Sequence, residues 1–127
     1  MRSEVATPPP ILRGDVYDAR LNPVEGSEQA GLRPVVIVSR DAINAASQVV
    51  LAVPCTSYRA RRLYPSQVLL RAPDGGLAVD SVALSEQVRA LAKSRLLARR
   101  GRLSRQAMAA VDTALLIALD LIPPAQR

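Results

Sequence analysis

Two charges of opposite sign lie five positions apart in the polar segment 26–34 (GSEQAGLRP), the carboxylate of Glu28 and the guanidinium of Arg33. A carboxylate can take up or return a proton, and a guanidinium is a permanent cation whose planar fork matches phosphate oxygens. Downstream, Thr56 and Ser57 follow Pro54 and Cys55 and add two hydroxyl donors, and Arg59, Arg61 and Arg62 then crowd three cations into one short stretch. By themselves these features describe a basic chain with a candidate loop-borne site and an arginine cluster that would bind phosphate if it faced a groove. Each feature also has an ordinary use. Exposed ion pairs are common and weak, Thr and Ser bond nearby backbone in turns, and an arginine run is often a solvated face. On charge spacing alone, a solvated Glu28–Arg33 pair is the commoner outcome.

Composition narrows the chemistry more sharply than it widens it. The chain has no histidine, which removes the default neutral-pH acid/base group, the Ser-His and Cys-His nucleophile pairs and most transition-metal sites. With one cysteine, Cys55, neither an internal disulfide nor a cysteine zinc site can form, and without a histidine to activate it Cys55 reads as a small buried residue rather than a nucleophile. No metal and no cofactor is therefore expected, and any catalysis must run on Glu, Asp, Arg, Tyr or hydroxyl groups. The net charge of +6 favours a polyanionic partner, and nearly all of the positive charge is arginine, Lys93 being the one lysine. An arginine-biased genome explains that preference as well as phosphate recognition does. No apolar window is long enough to span a membrane, and the expected location is cytoplasmic.

The elements that must position these groups can be read from periodicity. At 127 residues, half of them hydrophobic, the chain is expected to form a single domain over residues 13–127, preceded by a tail at 1–12 that carries three consecutive prolines. With three tyrosines as its only aromatic residues, its core must be built from Leu, Val, Ile and Ala. Alternation over 15–21 (DVYDARL) predicts a half-buried strand, and 33–39 (RPVVIVS) a strand buried on both faces. Residues 22–32 between them form a long loop, marked by Asn-Pro and two glycines. A short helical connection is expected at 40–47, then a second buried strand over 48–57 whose ladder should stop at Pro54. Further strands are expected at 66–72 and 80–91, with a turn at Pro73-Asp74-Gly75-Gly76 between them. One long helix should follow Ser104 as N-cap, with Met108, Val111, Leu115, Ala118 and Leu119 at helical spacing. Strands early and a helix late predict a small antiparallel α+β barrel or sandwich.

Four segments in order, 13–39 (RGDVYDARLNPVEGSEQAGLRPVVIVS), 49–57 (VVLAVPCTS), 80–96 (DSVALSEQVRALAKSRL) and 101–104 (GRLS), resemble the MazF/PemK/Kid family of toxin endoribonucleases. The most specific piece is Gly26-Ser27-Glu28-Gln29 followed by Arg33-Pro34 at fixed spacing. The resemblance implies a compact SH3-like β-barrel of the PemK/CcdB kind with a C-terminal α-helix, a homodimer, and metal-independent cleavage of single-stranded RNA by the toxin of a toxin–antitoxin pair. It places the family's essential arginine on Arg33, its essential threonine on Thr56 and its candidate acid/base carboxylate on Glu28, with Gln29, Ser57 and Gln87 lining the RNA groove beside Arg59, Arg61 and Arg62. One branch of the family uses an arginine–aspartate pair that falls here on Leu84 and Glu86, so that second pair is not carried over. An exposed carboxylate is a weak base at neutral pH, so a base role for Glu28 calls for burial of its loop. A cognate acidic antitoxin is expected to occupy the basic groove in competition with RNA. Two other readings of the same barrel remain open, a non-catalytic gyrase poison of the CcdB type and a basic RNA-binding module without chemistry.

Overall fold

The computed structural model describes residues 8–122, and the first seven residues of the expected tail lie outside that range. Seven strands, β1 (Asp15–Arg20), β2 (Leu32–Ile37), β3 (Val49–Ser57), β4 (Gln67–Leu70), β5 (Ser81–Leu84), β6 (Arg89–Ala92) and β7 (Leu96–Arg102), are joined by a short helix α1 (Asp41–Ala46) and followed by α2 (Arg105–Ala118). All pairings are antiparallel. The hydrogen-bonded path runs β4-β5-β3-β2-β1-β7, with β6 paired to β3 beside it. β4 and β7 end the path without pairing, so the expected barrel is, in its hydrogen bonds, an unclosed sheet with a C-terminal helix.

Alternation in β2 explains the layering. Val36 and Val38 enter one buried cluster with Val16, Val53, Cys55, Leu70 and Val111, which α2 covers through Ala107, Met108 and Leu115. Val35 and Ile37 enter a second cluster with Ala19, Leu21, Val50, Ala52 and Leu91. Successive side chains of a strand point to opposite faces, so a run of β-branched residues suits a strand covered on both. Aliphatic side chains supply both cores, as the near-absence of aromatics requires. Ile11, at the end of the expected tail, packs against the second cluster. Ser104 caps α2, its hydroxyl accepting from the Ala107 N–H. The buried stripe of that helix is Val111 and Ala114, whereas Leu119 is 55% exposed. No helix among the described residues is long and apolar enough to cross a membrane.

Two elements differ from the sequence expectation. The single strand expected over 80–91 is two strands, β5 and β6, separated by a 3-10 turn at Ser85–Gln87. β7 occupies a stretch so rich in arginine that no alternation signals it. That strand is held by its pairing to β1 and by ion pairs across the seam, Arg99 to Asp15 at 3.2 Å and Arg100 to Asp18 at 2.6 Å.

Candidate active site

Pro54 organises the site. β2 and β3 pair through Ile37–Ala52, Val36–Val53 and Val35–Pro54, and there the ladder stops, as expected for a residue without an N–H. β3 itself does not stop. Cys55, Thr56 and Ser57 pair with Ala83, Val82 and Ser81 of β5 on the opposite edge. The β2-facing edge beyond Pro54 therefore lies outside any ladder, while β2 stays paired to β1 back to Leu32. Continued by two residues, the β2–β3 register sets Arg33 opposite Thr56 across this mouth. Opposed positions share a face of the sheet, so the cation and the hydroxyl, 23 residues apart in sequence, belong to one face.

Arg33 is half-buried and its Nε donates to the Ala30 carbonyl at 3.1 Å. Among the described residues neither terminal guanidinium nitrogen has a hydrogen-bond or carboxylate partner, so the fork is left for an anion. Thr56 is half-buried and Ser57 exposed.

The 22–31 loop is closed at its neck by Leu21 N–H donating to the Gly31 carbonyl at 2.9 Å and by Gly31 N–H donating to Asn22 Oδ1 at 3.2 Å. Gly26 and Gly31 have φ of +57° and +75°, values open to glycine at little cost. A third tie comes from far away in sequence. Gln87 Oε1 accepts from the Gln29 N–H at 2.8 Å, and its Nε2 donates to the Ser27 carbonyl at 3.3 Å. Gln87 thus grips the backbone on either side of Glu28. Glu28 is exposed, and its Oε1 accepts from the Glu25 N–H at 3.2 Å. The chain by itself does not supply the burial that a base role calls for. A cleft of about 200 Å³ lined by Glu28, Gln29, Pro54, Glu86, Gln87, Val88 and Arg89 lies beside this loop. Arg89 was not singled out from the sequence, because an isolated arginine after a polar turn carries no spacing signal.

On the other flank, Arg59, Arg61 and Arg62 are exposed in the loop before β4. Arg61 Nη1 donates to Gln67 Oε1 at 3.3 Å, and no arginine of the three forms an ion pair among the described residues. Glu86 accepts from Ser66 Oγ at 3.0 Å and from Gln67 Nε2 at 2.7 Å. The 3-10 turn at Ser85–Gln87 therefore touches both flanking loops, Glu86 one and Gln87 the other. Cys55, next to Thr56, points into the apolar core, where burial pushes its thiol up to about 12. A thiol held protonated at neutral pH is no nucleophile, in line with its reading as a core residue.

Comparisons with known proteins identify relatives of this chain. Residues 12–119 match the profile of a family described as the PemK-like, MazF-like toxin of type II toxin–antitoxin systems. The endoribonuclease MazF9 of Mycobacterium tuberculosis (strain ATCC 25618 / H37Rv) is 44% identical over 116 residues, covering 87% of this chain and 98% of that protein. An endoribonuclease solved in complex with its cognate antitoxin, from a mycobacterial species, superposes with a TM-score of 0.75 at 31% identity, covering 90% of this chain and 99% of that one. MazF from Deinococcus radiodurans gives a TM-score of 0.74 at 29% identity, over 87% of this chain and 96% of that one.

Proposed function

Because this chain belongs to the PemK-like, MazF-like toxin family, we propose that its site cleaves single-stranded RNA at short sequence motifs by attack of the substrate's own 2′-hydroxyl. The chain is a toxin endoribonuclease of a toxin–antitoxin pair. The site assignment is supported by the β2–β3 register, which ends at Val35–Pro54 and, continued by two residues, would put Arg33 opposite Thr56, and by an arginine fork free of carboxylates.

In this reading the 2′-oxygen forms a bond to the adjacent phosphorus and the P–O5′ bond breaks, leaving a 2′,3′-cyclic phosphate and a 5′-hydroxyl. The 2′-hydroxyl proton passes to Glu28 once RNA covers the loop, and the departing 5′-oxygen takes a proton from water, which the proton on Glu28 then restores. Arg33 donates two N–H groups to phosphate oxygens whose charge grows as the phosphorane forms, so its attraction is stronger in the transition state than in the ground state. Thr56 donates its hydroxyl to the same phosphate and fixes it in line. Arg59, Arg61 and Arg62 hold flanking phosphates, with Gln29 and Ser57 at the groove wall. None of these roles calls on a metal.

An antitoxin is the protein partner, and an acidic segment of it would compete with RNA for the same arginines. A homodimer is supported by apolar side chains that α2 leaves uncovered, among them Leu116 and Ile117. Incubation of the purified protein with a long single-stranded transcript, with and without EDTA, tests the reaction. Discrete cuts bearing 5′-hydroxyl ends, undiminished by EDTA, are the expected result. Intact RNA together with trapped gyrase–DNA complexes would instead establish a gyrase poison, and a gel shift without cuts would establish a binder.

A further inference from the structure

The loop that carries the arginine cluster is tied at its start by the Tyr58 N–H, which donates to the Asp80 carbonyl at 2.9 Å, and at its end by a side-chain relay. Gln67, the first residue of β4, sits at its centre. Its Oε1 accepts from Arg61 Nη1 and from the Tyr64 N–H, both at 3.3 Å, and its N–H donates to the Tyr64 carbonyl at 2.9 Å. Its Nε2 donates to Glu86 Oε2 at 2.7 Å, and Ser66 Oγ donates to Glu86 Oε1 at 3.0 Å. Both carboxylate oxygens are thus used on this one loop. The Ser85 N–H adds a backbone tie to the Ser66 carbonyl at 3.0 Å. What the relay holds out is a cation and a ring: Arg61 is exposed, and Tyr64 is 65% exposed. An exposed aromatic and an arginine without a carboxylate partner, tied to the same glutamine, suit one nucleotide, the ring stacking on a base while the guanidinium takes a phosphate.

We infer that Glu86 is a positioning residue, acting through Gln67 to fix Arg61 and Tyr64 as a nucleotide-selecting pair beside the Arg33–Thr56 mouth. This inference rests on the RNA-cleaving reading. Its chemistry differs from an acid/base role at the same position, because a positioning carboxylate needs only to accept two hydrogen bonds. A glutamine can keep both: its Oε1 accepts from Gln67 Nε2, and its amide donates to Ser66 Oγ.

The experiment first maps the cut site preferred by the wild-type protein on a long transcript, then uses a short RNA oligonucleotide centred on that site. Glu86→Ala is expected to raise KM about tenfold, the equivalent of one charge-assisted hydrogen bond, with kcat within about twofold and a wider spread of cut sites. Glu86→Gln is expected to stay within about threefold of wild type in KM, with an unchanged pH profile of kcat. Gln67→Ala should match Glu86→Ala, and the double variant should be no worse than either single one, as residues of one network are non-additive. Amide exchange at Tyr64 should be faster in Glu86→Ala and Gln67→Ala, a readout that needs no RNA cleavage. If Glu86→Gln loses kcat or shifts its pH profile, Glu86 acts on the substrate and the inference is overturned. Wild-type KM, cut pattern and Tyr64 exchange in Glu86→Ala overturn it as well. A wild-type protein that leaves RNA intact refutes the cleavage reading instead, and the exchange arm still decides whether the relay holds the loop.

Discussion

The tripeptide Ser-Glu-Gln occurs at residues 27–29 and again at 85–87, and the two copies touch. The first sits in a loop outside every ladder, its glutamate exposed and bonded within four residues of itself. The second forms a 3-10 turn between β5 and β6, two strands that both pair with β3. There Ser85 is fully buried, Glu86 grips one loop and Gln87 grips the backbone of the first copy. Identical side chains thus take opposite parts. A triplet whose backbone is fixed by flanking strands can hold other segments, and one without such support has to be held.

The contrast can be broken most directly at the mouth that the first copy borders. Arg33→Ala should lower the cleavage rate by about 10²- to 10³-fold, the scale of removing a preorganised transition-state donor, with an unchanged melting curve. Thr56→Ala should cost on the order of tenfold or more. Wild-type cutting by purified Arg33→Ala would sink the assignment of the mouth as the active site. Gln87→Ala removes the grip of the second copy on the first. We expect about a tenfold loss of rate, as for one lost hydrogen-bond network, together with faster amide exchange at Gln29. If exchange there stays unchanged, the second copy does not hold the first.

Neighbours in β3 extend the same contrast, with Thr56 at the mouth and Cys55 inside. An ordinary thiol ionises near 9.0, whereas burial holds the Cys55 thiol protonated up to about 12. Above pH 9 the unfolded chain gives up that proton while the folded chain keeps it. Stability present below pH 9 is therefore lost progressively as pH rises toward 12. Denaturation midpoints at pH 8, 10 and 11 should fall more steeply for wild type than for Cys55→Ala, and parallel curves would argue against a buried thiol. The smallest effect belongs to Ser85, whose buried Oγ has no hydrogen-bond partner among the described residues. Ser85→Ala removes a desolvated hydroxyl without orphaning another group, so stability should hold or rise by about 1 kcal/mol, seen as a melting shift of a few degrees. A drop of that size would mean that the hydroxyl has a partner, such as a bound water.

Arginines show how far composition reaches. Arg99, Arg100 and Arg102 on β7, and Arg13, face Asp15, Asp18 and Asp112. Arg33, Arg59, Arg61, Arg62 and Arg89 have no carboxylate at ion-pair distance among the described residues. A net charge of +6 says that free cations exist but not at which end they lie. β7 was missed for the same reason: its arginines mask the strand pattern, and only the aspartates of β1 opposite them account for it. The break between β5 and β6 was missed because Ser-Glu-Gln reads equally as a strand's polar exit or as a turn.

By itself the sequence determined the buried strands β2 and β3, the stop at Pro54, the glycine-flanked loop, the capped final helix and the absence of any histidine-based chemistry. Those are local properties, set by side-chain branching, missing donors and backbone freedom, and they need no partner to be read. Only the tertiary structure decided that β3 leaves β2 at Pro54 and pairs onward with β5 from Cys55. It alone decided that Glu86 and Gln87, more than fifty residues from the first Ser-Glu-Gln, reach into two different loops. The physical reason is common to both. A hydrogen bond between distant segments depends on which strand edges are already occupied, and edge occupancy belongs to the whole sheet rather than to any stretch of chain.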